Sequence, residues 1–483
     1  MSGAERLLAT RLSADARRVK HSNGRTRGLQ NGGQPPSDAR SVSHHVAPPA
    51  TSSVAVAERP AELSTAPRVS PATAADHAAI HQLLTLVFHG PSVDQFHASL
   101  DDPLYEPSDR LLVKRGQRIV AHVHLTKRLM RFGRMLVPVA DLSQLATLPE
   151  FRGQGCGGML LEAAHAAMLK QGAVLSLLRT RIPHFFRPAG WAVCGRHSHS
   201  KARAREILAQ LVERRARNAA AEITVRPWRA VELPALMRLH EHNTAGAWGP
   251  YQRSEAAWRW LISTKGFDRI FVAIRGPDRH DLYDPVSPIV GYVITKDDQI
   301  LELMADRAVP QAAEELLARA CSEAIERDQS DIQLHAAPDD PLHRLLTSAG
   351  GAVHCHETYQ GALLMVRLLD PVGFLQSLCP ELHRRADEAR LLRPCELGLL
   401  LEGVKHRLVL SRRSVKLLPD KLGRSYLTCN LAEFTRMVMG QLDFEQALAC
   451  GRIEVSTRLA LATAKSLFPT VPYWRAPVDH LLE

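Results

Sequence analysis

The chain has 483 residues, of which 45 % are hydrophobic, and its formal net charge is +11. That length predicts about three domains, and the apolar fraction is high enough for packed cores, which excludes a wholly disordered chain. No apolar run approaches about eighteen residues and no hydrophobic signal segment opens the chain, so we expect neither a membrane span nor secretion, and a cytoplasmic protein.

The first 66 residues have the composition of a disordered basic tail. Basic residues come early, at Arg17, Arg18 and Lys20, and glycine, proline and serine follow with few aromatic residues. Such a segment cannot bury enough apolar surface to fold. Its charge fits either a solvated extension or weak, salt-sensitive association with RNA or acidic surfaces. The sequence has no nucleic-acid-binding motif, so we do not expect a nucleic-acid partner.

A first folded unit is predicted over residues 67–212. Apolar residues recur at helical spacing over 74–87, and two strand-like segments within 110–125 predict a hairpin. The Val- and Leu-rich run 135–145 has the length of a buried strand. Pro149 then prevents regular structure from continuing, so a loop must follow this strand.

Residues 149–158 form a glycine-rich turn. Gly153, Gly155 and Gly157 allow backbone dihedrals closed to other residues and let a ligand approach closely, so successive N–H groups can point into one concavity. From Leu160 onward apolar residues recur at helical spacing, which places a helix N-terminus and its partial positive charge behind the turn. This arrangement predicts a binding site for a pyrophosphate.

The turn resembles the acetyl-CoA signature of the GNAT superfamily of N-acetyltransferases, in which Gln or Arg is followed after two residues by Gly, and one residue later by Gly or Ala. Arg152, Gly155 and Gly157 fit that pattern. A second predicted strand, 173–178, leads to an aromatic-x-x-x-Gly-aromatic turn at 185–191, which is typical of the same superfamily. The alternative is that residues 149–158 are a glycine-rich turn of an unrelated α/β protein. The presence of two motifs at the correct spacing argues against this alternative.

The resemblance implies that acetyl-CoA is the co-substrate. Its pyrophosphate would lie on the turn, and the amide groups of Leu145 and Thr147, just before the turn, would hydrogen-bond the pantetheine arm. Cys156 would contribute its main-chain amide rather than its thiol. The cofactor-binding residues implied in this way are Leu145, Ala146, Thr147, Arg152, Gly153, Gln154, Gly155, Cys156 and Gly157.

Asp141 is the candidate general base. It lies eleven residues before the arginine of the signature, the offset at which histone-type members of the superfamily carry a general-base glutamate. Alternation along a strand predicts that Asp141, Ser143 and Leu145 share one face, and that Gln144 and Ala146 share the other. The alternative is that Asp141 is a buried carboxylate that only hydrogen-bonds a neighbouring loop.

Residues 222–370 are predicted to form a second α/β unit without a glycine loop. Its predicted helices and strands, in chain order, cover 232–240, 270–274, 289–295, 301–305 and 311–327. The equivalent turn, 306–314, cannot provide the amide concavity described above. We therefore interpret this unit as a degenerate GNAT copy that binds no CoA and helps to shape the substrate cleft.

Residues 371–483 are predicted to form an α+β module of four strands followed by two helices. The predicted elements cover 396–401, 406–411, 414–418, 425–429, 431–439 and 444–449. This order, together with segments 452–456 and 467–474, resembles the sterol-carrier-like C-terminal domain of the Eis (enhanced intracellular survival) acetyltransferases. The predicted fold class is therefore α/β (α+β), with two tandem GNAT-like domains and a sterol-carrier-like C-terminal domain.

The Eis resemblance implies further catalytic groups. In those enzymes the terminal carboxylate of the chain acts as base, and a tyrosine of the aromatic turn acts as acid. Glu483 would supply the carboxylate here, although a chain end usually lies at the surface. Phe186 stands at the place of the tyrosine, and a phenyl ring donates no proton, so water, His184 or the surroundings of CoA itself would protonate the leaving thiolate. The resemblance also implies a homo-oligomer, since Eis-type proteins form hexamers.

Neither the cysteines nor the histidines predict a metal site. The eight cysteines are dispersed without a Cys-x-x-Cys spacing, which favours free, packed thiols. Four histidine pairs at i, i+2 spacing lack a third ligand at motif spacing, and we assign no metal to them. These pairs are His122 and His124, His197 and His199, His240 and His242, and His354 and His356.

Two functions are compatible with the sequence. The first is transfer of an acetyl group from acetyl-CoA to a primary amine of an aminoglycoside-like molecule, a polyamine or a lysine side chain, as the resemblance implies. The second is a protein that binds CoA or an acyl-CoA without efficient transfer, whose C-terminal domain mediates assembly or binds an apolar ligand. The intact loop and Asp141 favour the first function, and Phe186 favours the second.

Overall fold

The computed structural model describes residues 67–217, 222–276 and 288–481. The predicted tail and Glu483 lie outside these residues. In the first part, five helices and seven strands are described. The helices are α1 (His77–Phe88), α2 (Val93–Leu100), α3 (Cys156–Lys170), α4 (Pro183–Phe186) and α5 (Ala204–Arg217), and the strands are β1 (Arg68–Pro71), β2 (Arg110–Arg115), β3 (Arg118–Phe132), β4 (Met135–Thr147), β5 (Leu175–Thr180), β6 (Ala192–Val193) and β7 (His197–Arg203).

The middle of the described chain contains nine further strands and four helices. The strands are β8 (Ile223–Pro227), β9 (Trp248–Tyr251), β10 (Arg269–Arg275), β11 (Ile289–Lys296), β12 (Gln299–Ala305), β13 (Asp331–His335), β14 (Ala352–His356), β15 (Thr358–Tyr359) and β16 (Ala362–Leu368). The helices are α6 (Leu233–Thr244), α7 (Glu255–Ser263), α8 (Pro310–Glu326) and α9 (Leu342–Ser348).

The last part of the described chain contains four helices and five strands. The helices are α10 (Pro371–Glu388), α11 (Leu431–Val438), α12 (Phe444–Ala449) and α13 (Arg458–Leu467), and the strands are β17 (Cys395–Leu401), β18 (Val404–Leu410), β19 (Val415–Pro419), β20 (Tyr426–Cys429) and β21 (Ile453–Val455). The predicted mixed α/β fold is confirmed, and most predicted helices and strands agree with these bounds to within a few residues, but the strand predicted to end at residue 125 continues to Phe132. No described helix is long and apolar enough to span a bilayer.

Two of the three sheets in the described chain repeat the same strand order. The first runs β1-β2-β3-β4-β5-β16-β15, with β6 beside β16 and β9 beside β3, and the second runs β14-β7-β13-β12-β11-β10-β8. In each, a central pair of strands is parallel, β4 with β5 and β12 with β13, and a helix, α3 or α8, connects that pair. The third sheet runs β19-β18-β17-β20-β21.

The two related sheets exchange strands. Strand β7 lies in the segment predicted as the first unit but pairs with β13 of the second sheet, and β16 lies in the segment predicted as the second unit but pairs with β5 of the first sheet. The domain boundaries at 212, 222 and 370 stay predictions. Because of the exchange, neither related sheet is built from one continuous segment.

The two faces of the first sheet are covered by different helices. Helix α3 packs on one face, where Leu160, Ala164 and Met168 share a core cluster with Leu142. The opposite face packs against α1 at one end, and at the other end Val139 shares a second cluster with apolar side chains of the C-terminal unit. The C-terminal unit therefore lies against the part of β4 that carries Asp141.

A buried ionic network attaches the C-terminal segment to β12 and to Arg253, which follows β9 in the chain. The Arg253 guanidinium donates to both oxygens of Glu302, at 2.9 and 2.7 Å, and its Nε donates to Asp479 at 2.9 Å. The Tyr292 hydroxyl also donates to Glu302, at 2.7 Å. All three ionic side chains are at most 3 % exposed, so the loss of one partner would leave an uncompensated buried charge.

We expect Glu302→Gln to lower the free energy of unfolding by about 3 to 5 kcal/mol, because Arg253 keeps its charge and loses its main partner. Urea denaturation measures this loss. The matched control is Glu255→Gln, which removes the Arg259 pair, whose side chains are 70 % and 58 % exposed. Exposed pairs of this spacing contribute at most about 0.5 kcal/mol, and equal losses in the two variants would contradict the role given to the buried network.

Candidate functional site

The glycine-rich turn joins the end of β4 to the start of α3. Gly153 and Gly155 have φ angles of +75° and +80°, a region that strongly favours glycine. A Cβ atom built on either glycine meets no described atom within 4 Å, so the space in front of the turn is open. The turn thus has the conformation predicted for a close approach by a ligand.

The N-terminus of α3 keeps its amide groups available. Some described helices begin with a side-chain cap, as where Ser92 and Asn430 accept hydrogen bonds from the amides of Gln95 and Glu433. Gly155, at the cap position of α3, has no side chain to do so. Among the described residues, none accepts a hydrogen bond from the main-chain N–H groups of residues 153–158. Unpaired donors at a helix N-terminus bind anions.

Side chains around the turn hold it in place and add positive charge. Arg152 Nε donates to the carbonyl of Thr147 at 3.3 Å, and Arg115 donates to Gln154 at 2.8 Å. Arg115 and Arg118 both lie over the Phe151 ring, at 5.3 and 5.6 Å. The sequence motif does not identify Arg115 or Arg118, because they come from the β2–β3 hairpin, more than thirty residues earlier.

The Phe185 ring packs against the turn, which explains why the third glycine, Gly157, has no side chain there. A Cβ atom on Gly157 would lie 3.2 Å from the Phe185 ring, which is tighter than ordinary van der Waals contact. Cys156 is 1 % exposed, so its thiol is buried and only its amide faces the turn. Phe186 is 4 % exposed and packs on Phe185 and Trp191. A core side chain therefore occupies the place of the tyrosine expected from the resemblance.

A wedge opens between β4 and β5 beside the turn. The two strands pair only at Val139 with Leu175, Ala140 with Ser176 and Asp141 with Leu177. Beyond Asp141, β4 continues to Thr147 along β3, while β5 continues to Thr180 along β16. Leu145, Ala146 and Thr147 therefore lie along the edge of β4 that borders the wedge, and their role in binding the pantetheine arm stays a prediction.

A β-bulge overturns the predicted alternation of side chains along β4. The register with β3 shifts between His122 and His124, and Gln144 has a φ angle of +52°. Leu145 consequently packs with Leu142 beneath α3, whereas Asp141 lies on the opposite face. The prediction that Leu145 shares a face with Asp141 is wrong, because the extra residue of a bulge reverses the alternation that follows it.

Asp141 lies at the point where the wedge begins, and it is 6 % exposed. The hydroxyl of Tyr251, on β9, donates a hydrogen bond to its carboxylate. Arg475 Nη1 lies 3.6 Å from Asp141 Oδ2, and the Arg475 guanidinium lies 4.3 Å from the centre of the Tyr251 ring. These contacts fit both readings of Asp141, a base at the wedge or a carboxylate held by its neighbours. Both partners are more than one hundred residues away in sequence, so no local signal identifies them.

Of the other two predicted catalytic residues, only His184 lies within the described residues, and no described contact joins it to Asp141. His184 is exposed on α4 and makes no hydrogen bond with the described residues. Glu483 lies outside the described residues. The described chain nevertheless ends close to Asp141, since Arg475 Nε donates to His480 Nε2 at 2.9 Å. Burial, together with the charges of Arg179 and Arg475, holds the pKa of His480 well below its ordinary value, which keeps the imidazole neutral and able to accept.

A buried arginine supports the bulge from the α1 side. Arg110 is 0 % exposed and donates to Gln144 Oε1 at 2.9 Å and to His122 Nε2 at 3.2 Å. The Nδ1–H of His122 then donates to the Gln144 carbonyl at 3.1 Å. Burial, with a smaller effect of the Arg110 charge, lowers the pKa of His122 to about 3. The neutral ring thus bridges the guanidinium and the bulge.

We expect the low pKa of His122 to make the free energy of unfolding decrease as the pH falls. In the unfolded chain its pKa is about 6.5, whereas the folded ring stays neutral down to about pH 3. Between these values the unfolded state binds the extra proton, so each pH unit lost removes up to about 1.4 kcal/mol. Urea denaturation from pH 7 to pH 5 should show a shallower pH slope in His122→Gln than in the wild type. The exposed His97→Gln is the control, and an unchanged slope in His122→Gln would contradict this assignment.

The equivalent turn of the second sheet satisfies its own donors. Ala308 N–H donates to the Asp306 carboxylate and Val309 N–H to the Asp306 carbonyl, both at 2.9 Å. Pro310 is the first residue of α8 and has no N–H to offer. The expectation that this unit binds no CoA stays a prediction. It is supported by the small number of main-chain N–H groups in this turn that could still donate to an anion.

The histidine pairs of β7 and β14 lie side by side. His199 pairs with His354 and His197 with His356 across the two strands. His335 of β13 adds a fifth ring, with His335 Nδ1 and His197 Nε2 2.9 Å apart. Within the described ranges, no group of three or more His, Cys, Asp or Glu side chains is placed to hold a metal ion.

Comparisons with known proteins agree with this geometry. Residues 68–194 match the family model described as an acetyltransferase (GNAT) domain. In structure, the chain is similar to a GCN5-related N-acetyltransferase from Kribbella flavida, with 16 % identity and a TM-score of 0.65 over 85 % of this chain and 97 % of that chain. A GCN5-related N-acetyltransferase from Anabaena variabilis gives 16 % identity and a TM-score of 0.66 over 85 % and 99 %.

Eis1 from Mycobacterium abscessus is also similar, with 15 % identity and a TM-score of 0.58 over 85 % of this chain and 99 % of that chain. At these identities the likeness shows the fold alone. A search of curated proteins gave no match. Residues 68–194 are thus a GNAT domain, within a chain that has the fold of GCN5-related N-acetyltransferases and of Eis1, as the sequence resemblance predicted.

Proposed function

We propose that this chain, whose residues 68–194 form a GNAT domain, transfers an acetyl group from acetyl-CoA to a primary amine. One observation carries the proposal: the unpaired amide groups of residues 153–158 lie next to the open wedge between β4 and β5. The turn would bind the pyrophosphate of CoA. The pantetheine arm would extend along Leu145, Ala146 and Thr147, with the thioester near Asp141.

The chemistry requires a neutral amine that attacks the thioester carbonyl, a group that accepts the amine proton, and a proton for the leaving thiolate. We assign the first proton transfer to Asp141, whose carboxylate lies at the start of the wedge. Phe186 supplies no proton, but Tyr251 carries a phenolic hydroxyl that already donates to Asp141. As the C–N bond forms and the C–S bond breaks, the amine proton would pass to Asp141, and Tyr251 or water would protonate the thiolate. The terminal carboxylate of Glu483 and the His184 ring stay alternative proton carriers.

A thiol-release assay tests this function. Purified protein is incubated with acetyl-CoA and a panel of primary amines that includes an aminoglycoside, a polyamine and a lysine peptide, and free CoA is measured against a control without amine. Amine-dependent CoA release supports the proposal.

The second candidate is a protein that binds CoA or an acyl-CoA without transfer. The core position of Phe186 and the ion pair of Asp141 with Arg475 favour it. Saturable CoA binding without CoA release for every amine would support this candidate and contradict the first. Cytoplasmic location, a homo-oligomer and a sterol-carrier-like role of the C-terminal unit stay part of the proposal, and gel filtration tests the homo-oligomer.

A further inference from the structure

A wide cleft lies between the second sheet and the C-terminal unit. Its volume is ≈ 760 Å³, and small-molecule sites in proteins commonly span about 300 to 1,000 Å³. Pro338, Asp339 and Cys355 line it from the side of the second sheet, and residues 440–445 and 468–473 line it from the C-terminal side. The lining contains no residue of β4, β5 or the glycine-rich turn, so the cleft is separate from the site of the proposed reaction.

The C-terminal wall of the cleft is apolar. Leu442, Phe444, Phe468 and Val471 line it, and each of these side chains is less than a tenth exposed. Their buried parts belong to the packed C-terminal unit, and the parts that face the cleft offer apolar surface to a ligand. Removal of such surface from water favours binding of an apolar group.

Hydrogen bonds hold this wall in shape before any ligand arrives. The Val471 N–H donates to the Gly440 carbonyl at 3.3 Å, and Gln441 Nε2 donates to the Val471 carbonyl at 3.1 Å. Lys465 of α13 pairs with Glu445 of α12. A wall that is already ordered loses little conformational entropy when a ligand binds, which favours affinity.

The charged side chains of the cleft leave a surplus of carboxylates. Glu445 and Lys465 neutralise each other. The remaining charges are those of Asp339, Asp443 and Arg196, all of which are exposed. Among the described residues, Asp339 makes no hydrogen bond or ion pair, and Asp443 accepts a main-chain N–H at the start of α12, at 3.1 Å, without an ion pair. Both carboxylates can therefore pair with an incoming cation.

We propose that this cleft binds an organic ammonium ion that carries an apolar body. The apolar body would pack on the C-terminal wall, and the ammonium group would donate charge-assisted hydrogen bonds to Asp339 and Asp443. A linear polyamine lacks the apolar body, and an apolar carboxylate carries the opposite charge, so the cleft selects against both. The inference is independent of acetyl transfer, because the cleft is separate from the wedge.

Four compounds with matched parts test the inference by isothermal titration without acetyl-CoA. 4-Phenylbutylamine is a cation with an apolar body, 4-phenylbutan-1-ol has the same body without charge, 4-phenylbutanoate has the opposite charge, and butylamine lacks the ring. We expect 4-phenylbutylamine to bind at least about 10-fold more tightly than the alcohol, the equivalent of about 1.4 kcal/mol, and the other two compounds to bind more weakly still. No binding of 4-phenylbutylamine, or equal or tighter binding of any other compound, would overturn the inference.

Charge variants connect this preference to the cleft. Asp443→Asn removes a charge and keeps an oxygen that can cap α12, and Asp339→Asn removes an exposed charge that has no described partner. In the double variant, 4-phenylbutylamine should bind no more tightly than the alcohol. Asp328→Asn is the matched control, because Asp328 is also exposed and lies outside the cleft. A preference that survives in the double variant would contradict the assignment of the ammonium group to these carboxylates.

Alkylation of cysteines locates the ligand in the wild-type protein. Cys355 lines the cleft and Cys450 does not, and both thiols are free and exposed. Saturating 4-phenylbutylamine should slow the reaction of Cys355 with iodoacetamide and leave that of Cys450 unchanged, as followed by mass spectrometry of peptides. An unchanged rate at Cys355 would overturn the inference. Protection of Cys355 without CoA release for any amine would reject the proposed function and retain the cleft site, and CoA release without protection would do the reverse.

Discussion

Gly155→Leu should weaken CoA binding by about 100-fold. The added side chain would project into the open space in front of the turn, where no described atom lies within 4 Å and where we expect the pyrophosphate. Hydrogen bonds to a charged group contribute about 1.5 to 3 kcal/mol each, and loss of about 2.7 kcal/mol corresponds to 100-fold in the dissociation constant. Isothermal titration with CoA measures the change.

The matched control for this variant lies at the other end of the same helix. Gly172 has a φ angle of +83°, and its Cβ position is also free of described atoms within 4 Å. Gly172→Leu therefore introduces a similar backbone strain, about 1 to 2 kcal/mol, away from the turn. We expect both variants to lose stability in urea and only Gly155→Leu to lose CoA affinity. A similar loss of affinity in both would mean that the effect is one of folding.

Asp141→Asn should lower amine-dependent CoA release by about 100-fold to 10,000-fold, the usual effect of removing a general base. CoA affinity should stay close to that of the wild type, because Asp141 lies at the start of the wedge rather than on the turn. The variant also leaves Arg475 without its carboxylate partner, and a broken buried pair costs about 3 to 5 kcal/mol of stability. A loss of activity by itself therefore does not distinguish a base from a structural carboxylate.

The double variant Asp141→Asn with Arg475→Met separates the two roles. Removal of both charges eliminates the uncompensated guanidinium, so stability should recover in urea denaturation. If Asp141 accepts the amine proton, CoA release stays low in the double variant. Recovery of both stability and CoA release would assign Asp141 a structural role and would leave another group as the base.

The parts of the site that are local in sequence could be predicted. The turn conformation at Gly153 and Gly155 follows from the spacing of glycines between a strand and a helix, because each step depends on residues within a few positions of one another. The order of helices and strands follows from hydrophobic periodicity in the same way. These features needed no knowledge of distant contacts.

The parts that depend on long-range pairing could not be predicted. Asp141 contacts Tyr251, which the pairing of β9 with β3 brings to this place, and Arg475, which comes from the C-terminal segment. The bulge at Gln144 depends on Arg110 and His122, whose hydrogen bonds hold the positive φ angle and reverse the alternation predicted for Leu145. No periodicity within β4 indicates either feature.

The central claim is that the main-chain donors of residues 153–158 bind the pyrophosphate of CoA. Isothermal titration of the wild-type protein with CoA, compared with pantetheine, which lacks the pyrophosphate, tests it most directly. We expect saturable binding of CoA, and binding of pantetheine at least about 100-fold weaker, the equivalent of about 2.7 kcal/mol. Absence of CoA binding, or equal affinity for the two compounds, would contradict the claim.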